Sequence, residues 1–516
     1  MSAAAIEGLY LAALRLHREG NLAAAERGYR KLLAVLPTHA DSLHLLGVIA
    51  LQAHQPEAAL ALIQRAIEQN PRDPFYHCNL GNVLLELNRR EEAEQHYRRA
   101  LELNPEHPEA LENLAGLLRL RKRPEESIDF YQRLAALRPE DAETQMKLGN
   151  AFHAAGNIAE AAAAYQRTVE LRPDYAEALV NWGITLQALG KPAEAEARYQ
   201  RAIAQSEENA AAHTNQGLLQ LQRGDFAVGW RNYEWRWRMA HFESPIRFFS
   251  QPQWRGEALE GKRILLHCEQ GLGDCLQFLR YVPMVQAAGG KVILELPAGL
   301  KRIAALLPGL EAVAAFGEEL PAFDWQCPLM SLPLAFQTAS ETIPAQVPYI
   351  RTPAEAKARA AALPWPAAGL RVGLVWSGST THVKNHLRSL ALRQLEPLFG
   401  LPNVHFYSLQ IGAAAGQLEA FPAITDLAPA TSDMADTAAQ IEQLDLVISV
   451  DTSVAHLAGA LGRPVWILLS TDPDWRWMLE REDSPWYPTA RLFRQREPGN
   501  WNEVIERVAR EVKKQG

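Results

Sequence analysis

One 34-residue stretch decides the fold of the first half of the chain: PFYHCNLGNVLLELNRREEAEQHYRRALELNPEH, residues 74–107. Its proline Pro105 belongs to a series that recurs at a 34-residue interval, namely Pro37, Pro71, Pro105, Pro139 and Pro173. A fixed period of this length predicts a repeated helix, turn and helix. Because one such unit cannot bury its apolar face alone, the series predicts an α solenoid with a concave groove.

The residue types within each unit support this prediction. The repeats begin at Ile6, Ala40, Pro74, Pro108, Ala142 and Ala176. Small residues stand at the eighth and twentieth places and a larger one at the twenty-fourth, as in Gly81, Ala93 and Tyr97. This pattern is typical of tetratricopeptide repeats, whose usual ligand is another polypeptide. A seventh unit begins at Ala210 without a terminal proline, which indicates a cap that joins the solenoid to another domain.

Asparagines occupy the sixth place of several repeats: Asn79, Asn113, Asn181 and Asn215. This place is expected to face the groove, where an amide can donate to and accept from a peptide backbone. The row therefore predicts an acceptor groove. Asparagine is also common at this place in ordinary tetratricopeptide repeats, so a purely structural role is the alternative.

Composition sets further limits on function. A chain of 516 residues with a net charge of -8 argues against nucleic acid as the main partner, since phosphate binding requires a basic face. The four cysteines fit no zinc spacing. No apolar run reaches the ~18 residues that a membrane span needs. The first residues predict an amphipathic helix and not a signal peptide, so we expect a cytoplasmic protein with reduced cysteines.

The second half alternates strands with helices, which predicts parallel sheets. Strands are expected in RILLHCE, KVILEL, LRVGLVWSG, VHFYSLQ, LDLVISV and PVWILLS. A proline-rich stretch divides this half, so two Rossmann-like domains are expected to face each other across a cleft. The predicted domains are a solenoid with its cap at 1–243, a Rossmann-like acceptor domain at 244–352 and a Rossmann-like sugar-nucleotide domain at 353–516. The last helix is expected to pack across their junction.

The first candidate site is the loop Gly271-Leu272-Gly273-Asp274. A dinucleotide site needs a third glycine where this chain has Leu276, which disfavours a nicotinamide cofactor. Asp274 stands at a helix start, where it would act as a helix cap if it had no catalytic role.

The second candidate site follows the strand LDLVISV. Asp451, Thr452 and Ser453 lead into a helix that carries His456. The free amides of a helix N-terminus and the two hydroxyls suit a diphosphate, and Asp451 suits the hydroxyls of a ribose or sugar. Helix capping and ordinary packing of the histidine are the alternatives.

Further donor contacts are predicted near the same strand ends. Ser377 and Gly378 end one strand, Lys384 and Arg388 follow in a polar loop that suits phosphates, and Gln410 ends the next strand near the expected nucleobase. Asp472 and Asp474 lie in a proline-bearing loop, so we expect no metal. The intervening Trp475, Arg476 and Trp477 either line the sugar site or brace the domain junction.

Two segments, EQGLGDCLQFLRYVP and SVDTSVAHLAGALGRP, resemble the paired motifs of heptosyltransferase-type glycosyltransferases, which have the GT-B arrangement of two Rossmann domains. The resemblance covers about residues 262–506. It implies Asp274 as catalytic base and a sugar nucleotide at Gly271, Gly273 and the second motif. The fusion to repeats is similar to O-GlcNAc transferases and bacterial flagellin glycosyltransferases. Ser453 stands where heptosyltransferases typically have glycine.

The sequence therefore predicts a nucleotide-sugar-dependent glycosyltransferase, inverting and independent of metal or other cofactors, that acts on a protein or peptide held by the repeats. One alternative is a repeat scaffold with a degenerate transferase domain. Another is transfer to a saccharide or lipid carrier.

Overall fold

A computed structural model describes residues 2–240, 242, 244, 246–380, 382 and 384–515. The chain divides into two compact units, Met1–Leu189 and Gly190–Gly516. Within the described residues no helix is long and apolar enough to cross a membrane.

The first unit consists of helix pairs in the predicted register. They are α1 (Ala3–Arg18), α2 (Leu22–Val35), α3 (Ala40–Gln52), α4 (Pro56–Gln69), α5 (Pro74–Glu86), α6 (Arg90–Leu103), α7 (Pro108–Leu120), α8 (Pro124–Leu137), α9 (Ala142–Ala154), α10 (Ile158–Leu171) and α11 (Ala176–Ala188). The prolines that mark the period lie in the short turns between one pair and the next. The predicted helical solenoid is confirmed.

Close packing within a pair depends on glycine at the eighth place of a repeat. The rings of Tyr97 and Tyr165, at the twenty-fourth place, are buried. A Cβ added at Gly81 would lie 2.5 Å from Cε1 of Tyr97, and one at Gly149 would lie 2.6 Å from Cε1 of Tyr165. In these two pairs the helices can therefore approach only because the eighth residue has no side chain.

The second unit begins with helices that pack on its α/β part. They are α12 (Pro192–Gln205), α13 (Ala210–Arg223) and α14 (Phe226–Tyr233), followed by a 3-10 turn at Glu234–Arg238. The indole Nε1 of Trp230 donates to the Thr338 carbonyl at 2.9 Å, and the Gln222 amide donates to the Pro473 carbonyl at 3.0 Å. The seventh repeat thus serves as a cap that contacts the α/β region.

A four-stranded parallel sheet follows, with strand order β3-β2-β1-β4. Its elements are β1 (Arg263–His267), β2 (Lys291–Leu296), β3 (Ala312–Ala315), β4 (Trp325–Pro328), α15 (Leu272–Phe278), α16 (Val282–Ala287), α17 (Lys301–Ala304) and α18 (Leu332–Ala335). The order reverses direction between β1 and β4, which is the position where open α/β sheets bind ligands.

A second, six-stranded parallel sheet has the order β10-β9-β8-β5-β6-β7. Its elements are β5 (Leu370–Val375), β6 (Val404–Ser408), β7 (Thr425–Asp426), β8 (Leu446–Val450), β9 (Val465–Leu469), β10 (Ala490–Arg494), α19 (Ala354–Ala361), α20 (Asn385–Arg388), α21 (Glu396–Phe399), α22 (Met434–Glu442), α23 (Ser453–Ala460) and α24 (Trp501–Gln515). Here the order reverses between β5 and β8, so the segments that follow these two strands meet.

Helix α24 corrects one expectation. Its predicted apolar face is buried through Trp501, Val504, Ile505, Val508 and Val512. These residues join the core of the second sheet, against β10 and α21, and not the junction between the two sheets. The apolar pattern was sufficient to identify the buried face of the helix, but it contained no information about which elements that face packs against.

Two of the cysteines lie side by side. Cys268, after β1, and Cys275, in α15, have Cα atoms 5.7 Å apart. Cys78 and Cys327 are free and buried. Cys268 and Cys275 stand on either side, in sequence, of the loop that carries Asp274.

The packing at the eighth place of the repeats can be tested with a matched pair of variants. We expect Gly81→Ala to destabilise the chain by about 1–3 kcal/mol, because the new methyl group overpacks the Tyr97 ring. Gly116→Ala is the control, since its Cβ would meet only the Tyr131 hydroxyl at 3.8 Å and alanine favours a helix by about 1 kcal/mol. Urea unfolding of the full chain measures both. Equal stabilities of the two variants would contradict this account of the helix pairs.

Candidate functional site

The loop after β1 carries Asp274 on the first turn of α15. Asp274 Oδ2 accepts a hydrogen bond from the Gly271 backbone N–H at 2.8 Å, so the carboxylate also caps the helix. Asp274 Oδ1 forms an ion pair with Arg476. Burial raises the pKa of Asp274, and Arg476 opposes that shift. The aspartate thus performs the expected capping and also carries a charge inside the protein.

Gly273 brings this loop against the second candidate site. A Cβ at Gly273 would lie 2.8 Å from the His456 ring and 3.5 Å from the Ser453 Cα. Helix α15 consequently packs directly on α23, which adjoins β8. The two motifs that lie far apart in sequence are therefore neighbours, and the second glycine of the loop permits their approach.

Helix α23 begins at the point where the second sheet reverses its strand order. Thr452 is its N-cap residue, and Ser453 is its first helical residue. The Thr452 hydroxyl lies 2.9 Å from the Ser449 hydroxyl, which fixes the end of β8 to the helix start. The helix N-terminus provides backbone N–H groups and a partial positive charge at this place.

His456 is buried and neutral. Its Nδ1 lies 2.9 Å from the Tyr487 hydroxyl, and its Nε2 lies 3.8 Å from Asp451 Oδ1. Burial, and then the positive charge of Arg476, lower the pKa of His456 to about 3. Arg280 and Arg388 lower it further. The Asp474 carboxylate opposes this shift, so burial is the main reason that the histidine is neutral.

Asp451 lies beside His456 with 14% of its side chain exposed. Burial raises its pKa, and the neighbouring Asp474 carboxylate adds to this effect. Arg388 and Arg476 act in the opposite direction. An acid in such a position is a good acceptor of hydrogen bonds from ligand hydroxyls, because its own hydration is already lost.

Arg476 is the central residue that the sequence patterns did not assign. Its guanidinium binds Asp274 and Asp474, at 2.9 Å from the latter, and also the Gln277 side chain. The side chain is 6% exposed. The only sequence signal was its place between two tryptophans. Trp475 and Trp477 are buried, so these residues brace the interior and do not line an open sugar site.

Arg388 lies over the backbone at the end of β5. A Cβ at Gly378 would meet its guanidinium at 2.7 Å. Its Nε is buried without a hydrogen-bond partner in the described part of the chain. Ser377 and Gly378 are held by Ser389, whose hydroxyl accepts from the Gly378 N–H at 3.1 Å. Arg388 thus has a donor group available for a ligand.

Lys384 and Gln410 are already engaged. Lys384 pairs with Asp472 at 2.5 Å. The Gln410 carbonyl oxygen accepts from the Trp376 and Ser377 amides, and its NH₂ donates to the Ser377 and Ile411 carbonyls. Gln410 therefore supports the loop after β5 and retains no free amide group for a nucleobase.

The asparagine row lies on half-buried positions of the repeats. Asn113 donates to Asn82 at 2.8 Å, and Asn181 donates to Asn150 at 3.2 Å, each in the preceding repeat. Asn79 pairs with His44 at 2.8 Å. Asn215, in the second unit, donates to the Ala211 carbonyl of its own helix. The amides thus help to join successive repeats.

Family models match several parts of the chain. Tetratricopeptide repeat models match residues 78–142, 180–228 and 149–190. A model for anaphase-promoting complex, cyclosome, subunit 3 matches residues 18–100. The model of glycosyltransferase family 9 (heptosyltransferase) matches residues 408–497, which include β8, α23 and β9.

A curated relative extends across both parts. The chain is 28% identical over 320 residues to protein FlbA of Caulobacter vibrioides. The match covers 56% of this chain and 52% of FlbA, so the chain spans about half the length of this relative.

Several solved structures are similar to a part of the chain. One is YrrB, described as a repeat protein with an unusual peptide-binding site, at 21% identity and a TM-score of 0.35 over 37% of this chain and 98% of YrrB. Another is MamA of Desulfovibrio magneticus, at 19% identity and a TM-score of 0.31 over 33% of this chain and 96% of MamA. A third is PilF of Pseudomonas aeruginosa, at 20% identity and a TM-score of 0.36 over 41% of this chain and 96% of PilF. The chain joins tetratricopeptide repeats to a heptosyltransferase-like glycosyltransferase region.

Proposed function

We propose that the chain transfers a sugar from a nucleotide-sugar donor to a hydroxyl of a protein acceptor in the cytoplasm, with inversion and without a metal. One observation carries this proposal: helix α15, whose first turn carries Asp274, packs on α23, with Gly273 against Ser453 and His456. A base for the acceptor hydroxyl and a cationic site for a leaving diphosphate are the two requirements of such a transfer.

The donor diphosphate is assigned to the N-terminus of α23. The backbone N–H groups of Ser453 and Val454 lie in its first turn, and the hydroxyls of Thr452 and Ser453 flank it. Arg388 supplies a guanidinium whose Nε has no partner among the described residues. Arg388 and the partial positive charge of the helix N-terminus would stabilise charge that develops on the leaving group.

Asp274 is assigned as the base. The acceptor oxygen attacks the anomeric carbon, the bond from that carbon to the diphosphate oxygen breaks, and the hydroxyl proton passes to Asp274. A single displacement of this kind inverts the anomeric configuration. Each Asp274 oxygen has one described hydrogen-bond partner and keeps a further lone pair for that proton.

Metal independence is supported by the partners of the carboxylates. Asp274 and Asp474 both bind the Arg476 guanidinium, so a fixed cation already lies between these two carboxylates. A metal would have to displace this buried cation from its hydrogen bonds, which is costly. Arg388 and the helix N-terminus would then neutralise the diphosphate.

The repeats are assigned to the acceptor. Asn113 and Asn181 are half-buried and donate to the asparagine of the preceding repeat, and each side-chain carbonyl oxygen can accept from a peptide backbone. A side-chain amide would bind the backbone groups of a peptide and not its side chains, so such binding suits acceptors of varied sequence.

Replacement of Asp274 tests the base. Asp274→Asn preserves the size of the side chain and one acceptor oxygen, and we expect kcat to fall by at least about 100-fold while donor binding is retained, because Arg388 and the N-terminus of α23 are unchanged. Rates of nucleotide release and calorimetric donor titration measure these quantities. Asp225→Asn is the control, since Asp225 is exposed and its side chain makes no capping hydrogen bond. A kcat within threefold of the parent would remove Asp274 from the mechanism and favour a non-catalytic scaffold.

Replacement of Arg388 tests the diphosphate site. We expect Arg388→Met to weaken nucleoside-diphosphate binding by about 10- to 100-fold, which corresponds to the free energy of one hydrogen bond to a charged group. Arg393→Met is the control, because Arg393 is an exposed arginine on the same segment. Equal affinity of both variants in calorimetric titrations would place the diphosphate elsewhere.

Replacement of the repeat amides tests the protein acceptor. We expect Asn113→Ala combined with Asn181→Ala to lower the ratio of sugar transferred to protein over sugar released to water several-fold, when labelled donor is supplied with a cell extract. Donor hydrolysis should be unchanged because the site in the second unit is intact. Asn157→Ala is the control, an exposed asparagine without a side-chain capping bond. An unchanged ratio in the double variant would favour a saccharide or lipid-carrier acceptor.

A further inference from the structure

An ion pair joins two loops at the edge of the second sheet to which the diphosphate is assigned. The Lys384 ammonium donates to Asp472 Oδ2 at 2.5 Å. Lys384 follows β5, and Asp472 follows β9. Strand β8 lies between β5 and β9 and pairs with both. Because the carboxyl ends of parallel strands share one edge, the ion pair spans the segment after β8, residues 451–453, which leads into α23.

The electrostatic surroundings of Asp451 agree with this placement. Burial raises the pKa of Asp451, and Asp474, from the same loop as Asp472, raises it further. Arg388, at the end of the short helix that follows Lys384, lowers it. Shifts of this kind require charges nearby. Both loops joined by the ion pair therefore bring charged groups to the start of α23.

The two partners of the ion pair differ in their freedom to move. The Asp472 side chain is 8% exposed, whereas that of Lys384 is 48% exposed. The loop of Asp472 is anchored, because the Pro473 carbonyl accepts from the Gln222 amide and the Ser470 hydroxyl donates to the Asp472 carbonyl. A lysine ammonium stands on a flexible four-carbon chain. The carboxylate is thus the fixed partner, and the ammonium is the movable one.

We propose that the ion pair of Lys384 and Asp472 is a strap across the diphosphate site, and that a nucleoside diphosphate opens it by taking the lysine ammonium from the aspartate. Asp472 is then an internal competitor of the donor phosphates. The inference rests on the proposed assignment of the diphosphate to the N-terminus of α23. It adds a residue that lowers donor affinity and determines which anions enter.

The charge balance explains why the strap would favour a diphosphate. A diphosphate carries more negative charge than one carboxylate and has more acceptor oxygens for the ammonium. When the strap opens, the mostly buried Asp472 carboxylate loses its cation, which is costly. This cost is subtracted from the binding free energy of every ligand that opens the strap. A neutral sugar or a singly charged anion gains too little from Lys384 to offset it.

The affinity of the intact chain for inorganic pyrophosphate, measured by calorimetric titration, tests the competition. We expect Asp472→Asn to bind pyrophosphate about three- to tenfold more tightly than the parent, since the pair is intermediate between an exposed and a buried one. Glu480→Gln is the matched control, because it removes the same charge from an exposed glutamate between β9 and β10. Its affinity should stay within twofold of the parent.

A crosslinking measurement follows the strap itself and needs no variant. A water-soluble carbodiimide joins a carboxylate to an ammonium in contact with it, as an amide and with loss of water. We expect mass spectrometry of the digested chain to show a crosslink between Lys384 and Asp472, and its yield to fall at least about threefold when pyrophosphate saturates the site.

A second ion pair provides the internal control for this measurement. Lys301, in α17, and Glu318, after β3, also lie 2.5 Å apart, at the first sheet. The yield of their crosslink should not change with pyrophosphate. The comparison also corrects for any reagent that pyrophosphate itself consumes.

The outcomes separate the strap from the proposed function. A Lys384 crosslink that bound pyrophosphate leaves unchanged, or that fails to form while the control pair is joined, overturns the strap and leaves the diphosphate site in place. Equal affinities of Asp472→Asn and the parent, or of Asp472→Asn and Glu480→Gln, do the same. Absence of pyrophosphate binding in both the parent and Asp472→Asn overturns the strap and the assigned diphosphate site together. Tighter binding with protection of the crosslink supports the strap.

Discussion

A buried guanidinium holds the candidate site together. Arg476 follows β9 of the second sheet, yet it binds Asp274 and Gln277 of α15 after the first strand of the first sheet. It also binds Asp474 of its own loop. Removing one partner of a buried ion pair typically costs 3–5 kcal/mol, because the other charge stays buried. The loop with Asp274 and the start of α23 are therefore fixed relative to each other by charge as well as by the contact of Gly273 with His456.

Two sheets that reverse their strand order provide two ligand positions. The reversal between β5 and β8 gathers Ser377, Gly378 and Asp451 with the N-terminus of α23. The reversal between β1 and β4 lies at a cavity lined by His267, Glu269 and Glu295. The first position is rich in arginine and suits a diphosphate. The loop that carries the proposed base, Asp274, follows Glu269 of this cavity.

The local features of this architecture could be predicted from the sequence. The 34-residue period fixed the helix pairs, since each place of the repeat has its own packing requirement, and the burial of Tyr97 and Tyr165 agrees with it. Strand β2 matched its apolar run from Lys291 to Leu296. Strands β3, β4 and β7 were not predicted because they have two to four residues, too short for a clear alternation. The five-residue strand β10 was not predicted either. Contacts between distant segments could not be predicted from local sequence patterns. The ion pairs of Arg476 and the hydrogen bonds of Gln410 with the loop after β5 depend on tertiary packing. So do the polar atoms of Glu269 and Trp237 that have no hydrogen-bond partner among the described residues.

The central claim is that the N-terminus of α23, with Arg388 and Arg476 nearby, binds a nucleotide sugar without a metal. Calorimetric titration of the intact chain with a panel of nucleoside-diphosphate sugars, each in the presence and absence of a chelator, tests it most directly. The account predicts saturable binding of at least one donor with the same affinity under both conditions. Binding that appears only with a divalent cation, or no binding across the panel, would contradict it.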